Sequence, residues 1–269
     1  MHDTSATHFT GTIPDHYERS LGPVIFSGYA ADLARRAADP LPARVLETAA
    51  GTGIVTRMLC DRLPGGTALT ATDLNEDMLD RARTKFRPEE PVTFLAADAT
   101  NLPFPAQSFD AVVCQFGLMF FPDKPRAHRE ARRVLRGGGR YVFNVWDSHA
   151  HNAFARVAHR TAAECSPADP PAFFQVPFSC HDVVVIRDDL RDAGFREIDV
   201  TTLPLEVPVA DPADFARGLV FGTPLLEQIR GRPGIDPQDL VAALTAALSG
   251  ELGLPSRPLR LQAHVIEAC

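Results

Sequence analysis

A glycine-rich turn is the first feature of this sequence that could hold a ligand. The stretch VLETAAGTG (45–53) starts as a buried apolar run and ends where a helical segment begins. Glycine at 51 and 53 lets the backbone pass close to a ligand, and the start of the helix offers unpaired N–H groups to an electron-rich partner. This motif alone has low specificity.

Two aspartates that follow the turn extend this candidate site. Asp73 ends the next apolar run, 22 residues after Gly51, where a carboxylate can accept hydrogen bonds from both hydroxyls of a ribose. Asp98 ends the third run and is placed to accept from an adenine amino group. Because the carboxyl ends of strands in an open α/β sheet converge on one crevice, we expect these groups to surround one ligand.

Short apolar runs alternate with helical segments after residue 40, and this alternation predicts an α/β fold with a doubly wound, mostly parallel, seven-stranded sheet. The predicted strands are 43–49, 68–73, 92–98, 109–116, 140–147, a strand from Phe195, and 258–268. The predicted helices are 53–63, 75–86, 124–136, 182–193, 211–221 and 236–252. The glycines 137–139 are predicted to end a helix and turn into the fifth strand.

Three segments lie outside this alternation. Residues 1–40 are predicted to form an N-terminal arm or lid, with a polar lead-in to about residue 14 and two short helical stretches interrupted at Gly22-Pro23. The main domain is predicted over 41–269, with cap segments at about 148–180 and 211–258. We expect the arm and the caps to cover a ligand.

Composition narrows the classes of partner. A net charge of −7 and a pI near 5.7 disfavour nucleic acid and anionic lipid, and no apolar segment reaches the length of a membrane span. The cysteines at 60, 114, 165, 180 and 269 form no CxxC pair, which favours reduced thiols in the cytoplasm. His149 and His151 have no third ligand nearby, so we expect no metal. A homodimer is compatible with this composition.

Four linked segments resemble the class I S-adenosylmethionine-dependent methyltransferases, particularly the branch with ubiquinone and menaquinone C-methyltransferases. The resemblance covers about residues 43–147 and implies a Rossmann-like sheet. The segments, in the family's order and spacing, are ETAAGTG (47–53), ATDLNEDMLDRAR (71–83), FLAADATNLPFPAQSFDAVVCQFGLMFFPD (94–123) and RRVLRGGGRYVFNVW (132–146).

The resemblance implies S-adenosylmethionine as the cofactor and a role for each matching position. The residues implied for its methionine part are Glu47, Ala49, Gly51, Thr52, Gly53 and Gln115. Those implied for its adenosine are Asp73 for the ribose, Leu74 and Met78 for the adenine face, and Asp98 and Ala99 for the adenine edge. The family often covers its site with an N-terminal arm, which makes Tyr17 and Phe26 candidates as well.

The sequence departs from the family pattern in two turns. Ala49 stands where the family usually has glycine, and its methyl group is expected to shift the loop or require a small readjustment. The segment 137–139 is Gly-Gly-Gly instead of Pro-Gly-Gly, a change in a turn rather than in the chemistry.

The implied reaction is methyl transfer to a small apolar or aromatic molecule by direct displacement. Such a reaction requires alignment of the reactants and exclusion of water, with no covalent enzyme intermediate. No general base is identified from the sequence. Phenylalanines that could line an acceptor pocket, or belong partly to the core, are Phe104, Phe109, Phe116, Phe120, Phe121, Phe173, Phe174 and Phe178.

Two other functions remain compatible with parts of this pattern. An NAD(P)-dependent oxidoreductase shares the glycine turn and Asp73, but its third fingerprint glycine would fall at Thr56, and the sequence has no Tyr-x-x-x-Lys pair. A non-catalytic cofactor-binding module would keep the same pocket and differ only by the lack of turnover.

Overall fold

A single seven-stranded sheet forms the centre of the computed structural model, which describes residues 9–230, 232 and 235–269. The strands are β1 Arg44–Thr48, β2 Ala68–Asp73, β3 Val92–Ala96, β4 Phe109–Gln115, β5 Leu135–Trp146, β6 Ile198–Val207 and β7 Leu259–Ala268. Their order is β3-β2-β1-β4-β5-β7-β6. The first five pair in parallel, and β7 is antiparallel to β5 and β6. The predicted mostly parallel, Rossmann-like sheet is confirmed.

Helices connect and cover the strands. They are α1 Ile13–His16, α2 Ser27–Ala37, α3 Ile54–Arg62, α4 Glu76–Arg83, α5 Lys124–Val134, α6 Ala153–Cys165, α7 Val183–Asp192, α8 Pro212–Phe221, α9 Leu225–Ile229 and α10 Pro237–Leu252. The central strands β1 and β4 are almost entirely buried, as expected for parallel strands covered on both faces. In the described part of the chain, no helix is long and apolar enough to cross a membrane.

The N-terminal arm is helical without a break, so the predicted interruption at Gly22-Pro23 is wrong. A π-helical stretch, Tyr17–Phe26, joins α1 to α2. Pro23 cannot donate a hydrogen bond, but both the backbone N–H and the hydroxyl of Ser27 reach the carbonyl of Gly22, so the wider turn is bridged locally. Residues 1–8 of the predicted lead-in lie outside the described residues.

The glycines before the fifth strand also differ from the prediction. Helix α5 ends at Val134 and β5 begins at once at Leu135, so the glycines belong to the strand. The pairing with β4 shifts between Phe109 and Ala111, and Gly138 has a φ of +77°. The extra residues bulge out of the ladder, because glycine adopts this left-handed conformation at no steric cost.

One buried side chain joins the end of β5 to β7. The Asn152 amide donates to the carbonyls of Asp147 and Gln262, each at 2.9 Å, and its oxygen accepts from the Gln262 N–H at 3.0 Å. Asn152 is fully buried, so water does not compete for these groups. Its position, just before α6, fixes where the chain leaves the sheet.

Replacement of Asn152 by alanine is expected to lower the free energy of unfolding by about 2 kcal/mol, because the Asp147 carbonyl and both backbone groups of Gln262 each lose a hydrogen bond. Denaturant unfolding followed by circular dichroism measures the change. The exposed neighbour His151 supplies the control variant, His151→Ala, which should stay close to wild type. Equal stability of both variants would contradict this role of Asn152.

Candidate active site

A cavity of about 570 Å³ opens at the carboxyl ends of the parallel strands. Most of the site residues predicted from the sequence line it, namely Tyr17, Phe26, Ala49, Gly51, Asp73, Leu74, Met78, Asp98, Ala99 and Gln115. The other three, Glu47, Thr52 and Gly53, are not among its lining residues. The structure thus brings residues of three separate motifs and of the N-terminal arm to one place.

The glycine turn is tied to the end of β2 by the Asp73 carboxylate. Its Oδ2 accepts from the Gly51 N–H at 2.8 Å, and its Oδ1 accepts from the Asn75 N–H at 2.9 Å. Burial raises the pKa of Asp73, while these backbone N–H groups oppose the rise. Asp73 therefore both shapes the turn and presents oxygen atoms to the cavity.

Gly53 has a packing role behind the turn. Its φ is +77°, and a Cβ added to it would lie 2.9 Å from the Cβ of Ala82. Only glycine allows α3 and α4 to approach this closely. Its prediction as a ligand of the methionine part stays a prediction.

Ala49 adopts a backbone conformation that favours glycine, with a φ of +52°. Its methyl group is accommodated because Gly117 faces it: a Cβ on Gly117 would lie 2.5 Å from the Cβ of Ala49. The two positions are complementary in size. The departure from the family pattern is absorbed here without closing the cavity, although the left-handed backbone costs energy for an L-residue.

Glu47 lies buried beneath the turn, with 1% of its surface exposed. In the described part of the chain its Oε2 has no hydrogen-bond partner. Burial raises the pKa of Glu47 to about 8, and the nearby Asp73 charge adds to the rise while Lys85 opposes it. Hydrogen bonding to Thr56 also opposes the rise, and the unpartnered Oε2 is an oxygen that a cationic ligand would stabilise.

Asp98, two residues after the end of β3, is held in place by hydrogen bonds. The backbone N–H and the hydroxyl of Thr100 both donate to its Oδ1 at 2.8 Å. Its Oδ2 has no partner among the described residues. Beside it, Leu74 lines the cavity while 63% exposed, and the buried Met78 completes an apolar surface.

The N-terminal arm closes over this end of the cavity. Tyr17 stacks on Phe26 with ring centroids 4.7 Å apart, and both rings line the cavity. Glu18 accepts from the Thr52 hydroxyl at 2.5 Å and pairs with Lys85 at 2.6 Å. The Thr52 hydroxyl is thus bonded to the arm, and Thr52 does not line the cavity. Glu18 anchors the arm to the glycine turn.

The other end of the cavity is aromatic. Trp146 and Phe116 stack with centroids 3.9 Å apart and planes 6° apart. Phe116 has a φ of +48°, held by its N–H, which donates to Asn144 Oδ1 at 2.9 Å. Backbone strain of this kind persists only where the surroundings fix it, and it clusters at functional sites.

The predicted phenylalanines divide between cavity and core. Those that line the cavity are Phe116, Phe120, Phe121, Phe173, Phe174 and Phe178. Phe104 and Phe109 do not; they pack edge to face, 5.1 Å apart, away from the cavity. The aromatic insert, which carries Phe173, Phe174 and Phe178 of the 148–180 segment, therefore forms a wall at the aromatic end of the cavity.

None of the histidines that the structure describes lines this cavity. His149 and His181 hold the insert from outside, through hydrogen bonds to the carbonyls of Phe174 and Phe178. In the same part of the chain, no group of three or more His, Cys, Asp or Glu side chains is arranged to hold a metal ion.

Several lining residues were not predicted from the sequence. They include Phe9, Leu21, Ile25, Asn75, Met119, Lys124, Trp146, Phe154, Leu219 and Thr223. Asn75 had a local signal, since it lies two residues after Asp73 at the strand end. Leu219 and Thr223 had none, because α8 reaches the cavity only through tertiary packing.

The sheet order, the antiparallel last strand and the glycine turn beside two carboxylates define a Rossmann-like methyltransferase fold. Comparisons agree with this class. Residues 46–143 match the family model described as a methyltransferase domain. The chain is 28% identical over 173 residues to a ubiquinone/menaquinone biosynthesis C-methyltransferase of Shewanella frigidimarina, which covers 60% of this chain and 69% of that protein.

One further relative and one solved structure extend the comparison. A demethylmenaquinone methyltransferase of Thermus thermophilus is 41% identical over 128 residues, 46% of this chain and 58% of that protein. In fold, the chain is similar to the phosphoethanolamine N-methyltransferase 2 of Haemonchus contortus solved with S-adenosyl-L-methionine. The TM-score is 0.63 at 18% identity, over 97% of this chain and 57% of that one. These matches support an S-adenosylmethionine-dependent methyltransferase.

Replacement of Ala49 by glycine tests the strain in the turn. We expect the free energy of unfolding to rise by about 1 kcal/mol, because the left-handed conformation costs an L-residue about 1–2 kcal/mol and the greater freedom of unfolded glycine offsets only part of that. Denaturant unfolding measures it. Ala50, whose φ is not positive, supplies the control: Ala50→Gly should lose stability. A loss in both variants would contradict the argument.

The buried Glu47 predicts a pH dependence of stability. Its pKa is raised in the folded state, so the contribution of its bound proton is complete below about pH 4.5 and is lost as the pH rises towards about 8. The stability of Glu47→Gln relative to wild type should therefore increase from pH 5 to pH 8. Urea unfolding of both proteins across this range tests the sign; a constant difference would refute it.

Proposed function

We propose that this methyltransferase binds S-adenosylmethionine with the residues around the glycine turn and methylates a small apolar or aromatic molecule held at the aromatic end of the same cavity. The observation that supports this most directly is the division of one cavity into two ends. Asp73 and Asp98 lie at one end, and rings such as Phe116 and Trp146 form the other.

The cavity fits this cofactor in size and in donor set. A volume of about 570 Å³ is within the range of roughly 300–1,000 Å³ found for small-molecule sites. Asp73 offers carboxylate oxygens suited to a pair of ribose hydroxyls, and Asp98 retains a free Oδ2 for an amino group. The unpartnered Oε2 of Glu47 lies beneath the turn, where it favours a cationic methionine end. When bound, the cofactor supplies an electrophilic methyl group.

The chain's own contribution to the reaction is alignment and exclusion of water. The stacked rings of Tyr17 and Phe26 cover the cavity from the arm, and Trp146 and Phe116 form an apolar surface at the acceptor end. Fixing the reactants in this way lowers the barrier of a displacement by removing the entropy cost of their encounter. No residue has to form a covalent bond.

The acceptor end is assembled from the arm and the two cap segments. The arm 1–40 supplies Leu21 and Ile25, the segment 148–180 supplies Phe154 and the aromatic insert, and the segment 211–258 supplies Leu219. We assign acceptor choice to these segments, because fold alone does not select a substrate. A homodimer, the exclusion of nucleic acid and a cytoplasmic location stay predictions from composition.

The variant Asp73→Asn tests the cofactor site. The amide keeps an oxygen for the Gly51 N–H but loses the charge and the acceptor of the Asn75 N–H. We therefore expect S-adenosylhomocysteine to bind about 10- to 100-fold more weakly, the usual loss for a hydrogen bond to a charged group. Isothermal calorimetry measures the affinity. Asp80→Asn, an exposed carboxylate on α4, is the matched control and should bind like wild type.

The same titrations separate the competing functions. Folded wild type that binds neither S-adenosylmethionine nor S-adenosylhomocysteine, or that prefers NAD(H), would overturn the proposal. Tight binding without turnover on any acceptor would favour the non-catalytic module instead.

A further inference from the structure

The charges that line the cavity are unevenly distributed. Its carboxylates, Asp73 and Asp98, lie at the end assigned to the cofactor. Lys124, the first residue of α5, is the one cationic side chain among the described lining residues. Its ammonium group lies beside the carbonyl of Phe121, at the opposite, aromatic end. A cation therefore stands where the acceptor would bind.

Lys124 differs from the chain's other lysine in having no ion-pair partner among the described residues. Lys85 pairs with Glu18 at 2.6 Å. The Lys124 ammonium group donates to the carbonyl of Phe121 at 3.2 Å, and no carboxylate oxygen of the described residues lies within the 4.0 Å of an ion pair. Asp189 of α7 is close enough to interact with it electrostatically without forming a pair. Two of the three ammonium hydrogens remain available for a ligand.

The acceptor end also lacks a group that removes protons. None of its described lining residues is a histidine, aspartate or glutamate. An acceptor that must lose a proton finds no carboxylate or imidazole base at this end of the cavity, whereas one that arrives as an anion needs none. In apolar surroundings an ammonium group stabilises such an anion more strongly than it would in water.

We propose that the acceptor is an aromatic molecule that carries one anionic oxygen group, and that Lys124 binds this group at the aromatic end of the cavity. The stacked rings of Trp146 and Phe116 supply the apolar surface for its body, and Lys124 sets its orientation and charge preference. This inference rests on the proposed function, because it concerns the acceptor part of the same cavity.

A pair of matched probes tests the charge preference. Calorimetry with the full chain, saturated with S-adenosylhomocysteine, compares 2-naphthoate with its neutral isostere 2-naphthamide. Wild type should bind the carboxylate at least about tenfold more tightly, and Lys124→Met should abolish that preference while binding the amide unchanged, in line with the usual strength of a charged hydrogen bond. Lys124→Arg should retain it.

Arg129→Met is the matched control, because it removes one positive charge from an exposed position of the same helix. Equal binding of the two probes to wild type, failure of 2-naphthoate to bind, or an equal loss in Arg129→Met would each overturn the inference. If Lys124→Met bound both probes equally weakly while still binding S-adenosylhomocysteine, Lys124 would have a structural role, and the inference would be overturned too. Failure of wild type to bind S-adenosylhomocysteine at all would instead refute the proposed function.

Discussion

The arrangement of the site depends on one carboxylate that accepts backbone hydrogen bonds from two loops. Asp73 accepts from Gly51 after β1 and from Asn75 after β2, so it sets the position of both strand ends relative to each other. Because Asp73 is buried, desolvation raises its pKa, and the N–H groups around it oppose that rise. The interactions that hold the loops in place are therefore the same ones that prepare an anionic acceptor for a ligand. Cofactor recognition and local structure cannot be separated at this residue.

Strain is concentrated on the same rim of the sheet. Ala49 and Phe116, at the ends of neighbouring strands, both have positive φ angles, and each is held by a specific neighbour. Gly117 leaves room for the Ala49 methyl group, and Asn144 of β5 accepts the Phe116 N–H. At these residues the backbone leaves the strand conformation, and both residues line the cavity. The rigid, buried sheet supplies the stability that allows the rim to depart from regular geometry.

The cofactor half of the molecule was predictable because its signals are local. Each strand end, turn and helix start from 43 to 116 lies within a short stretch of sequence, so spacing alone predicts that Gly51, Asp73 and Asp98 lie together, and all three line the cavity. The remainder depends on contacts between distant segments. Nothing near Pro23 indicates that Ser27 will bridge a π-helical turn, and nothing near Thr52 shows that Glu18 will take its hydroxyl. The sequence does not predict Lys124 as a cavity residue for the same reason, because it lines the cavity together with an insert that is distant in sequence.

The two ends of the cavity are built from different parts of the chain. The matched methyltransferase domain, 46–143, contains the strands that carry the carboxylates and the glycine turn. The segments that wall the acceptor end lie mostly outside it: the arm, the aromatic insert and α8. The hydrogen bonds that Asp73 and Asp98 accept come from residues inside the matched domain, so they need no partner from the covering segments. Similarity over the domain therefore carries the cofactor chemistry, while the acceptor has to be inferred from the rings and the single lysine that surround its end of the cavity.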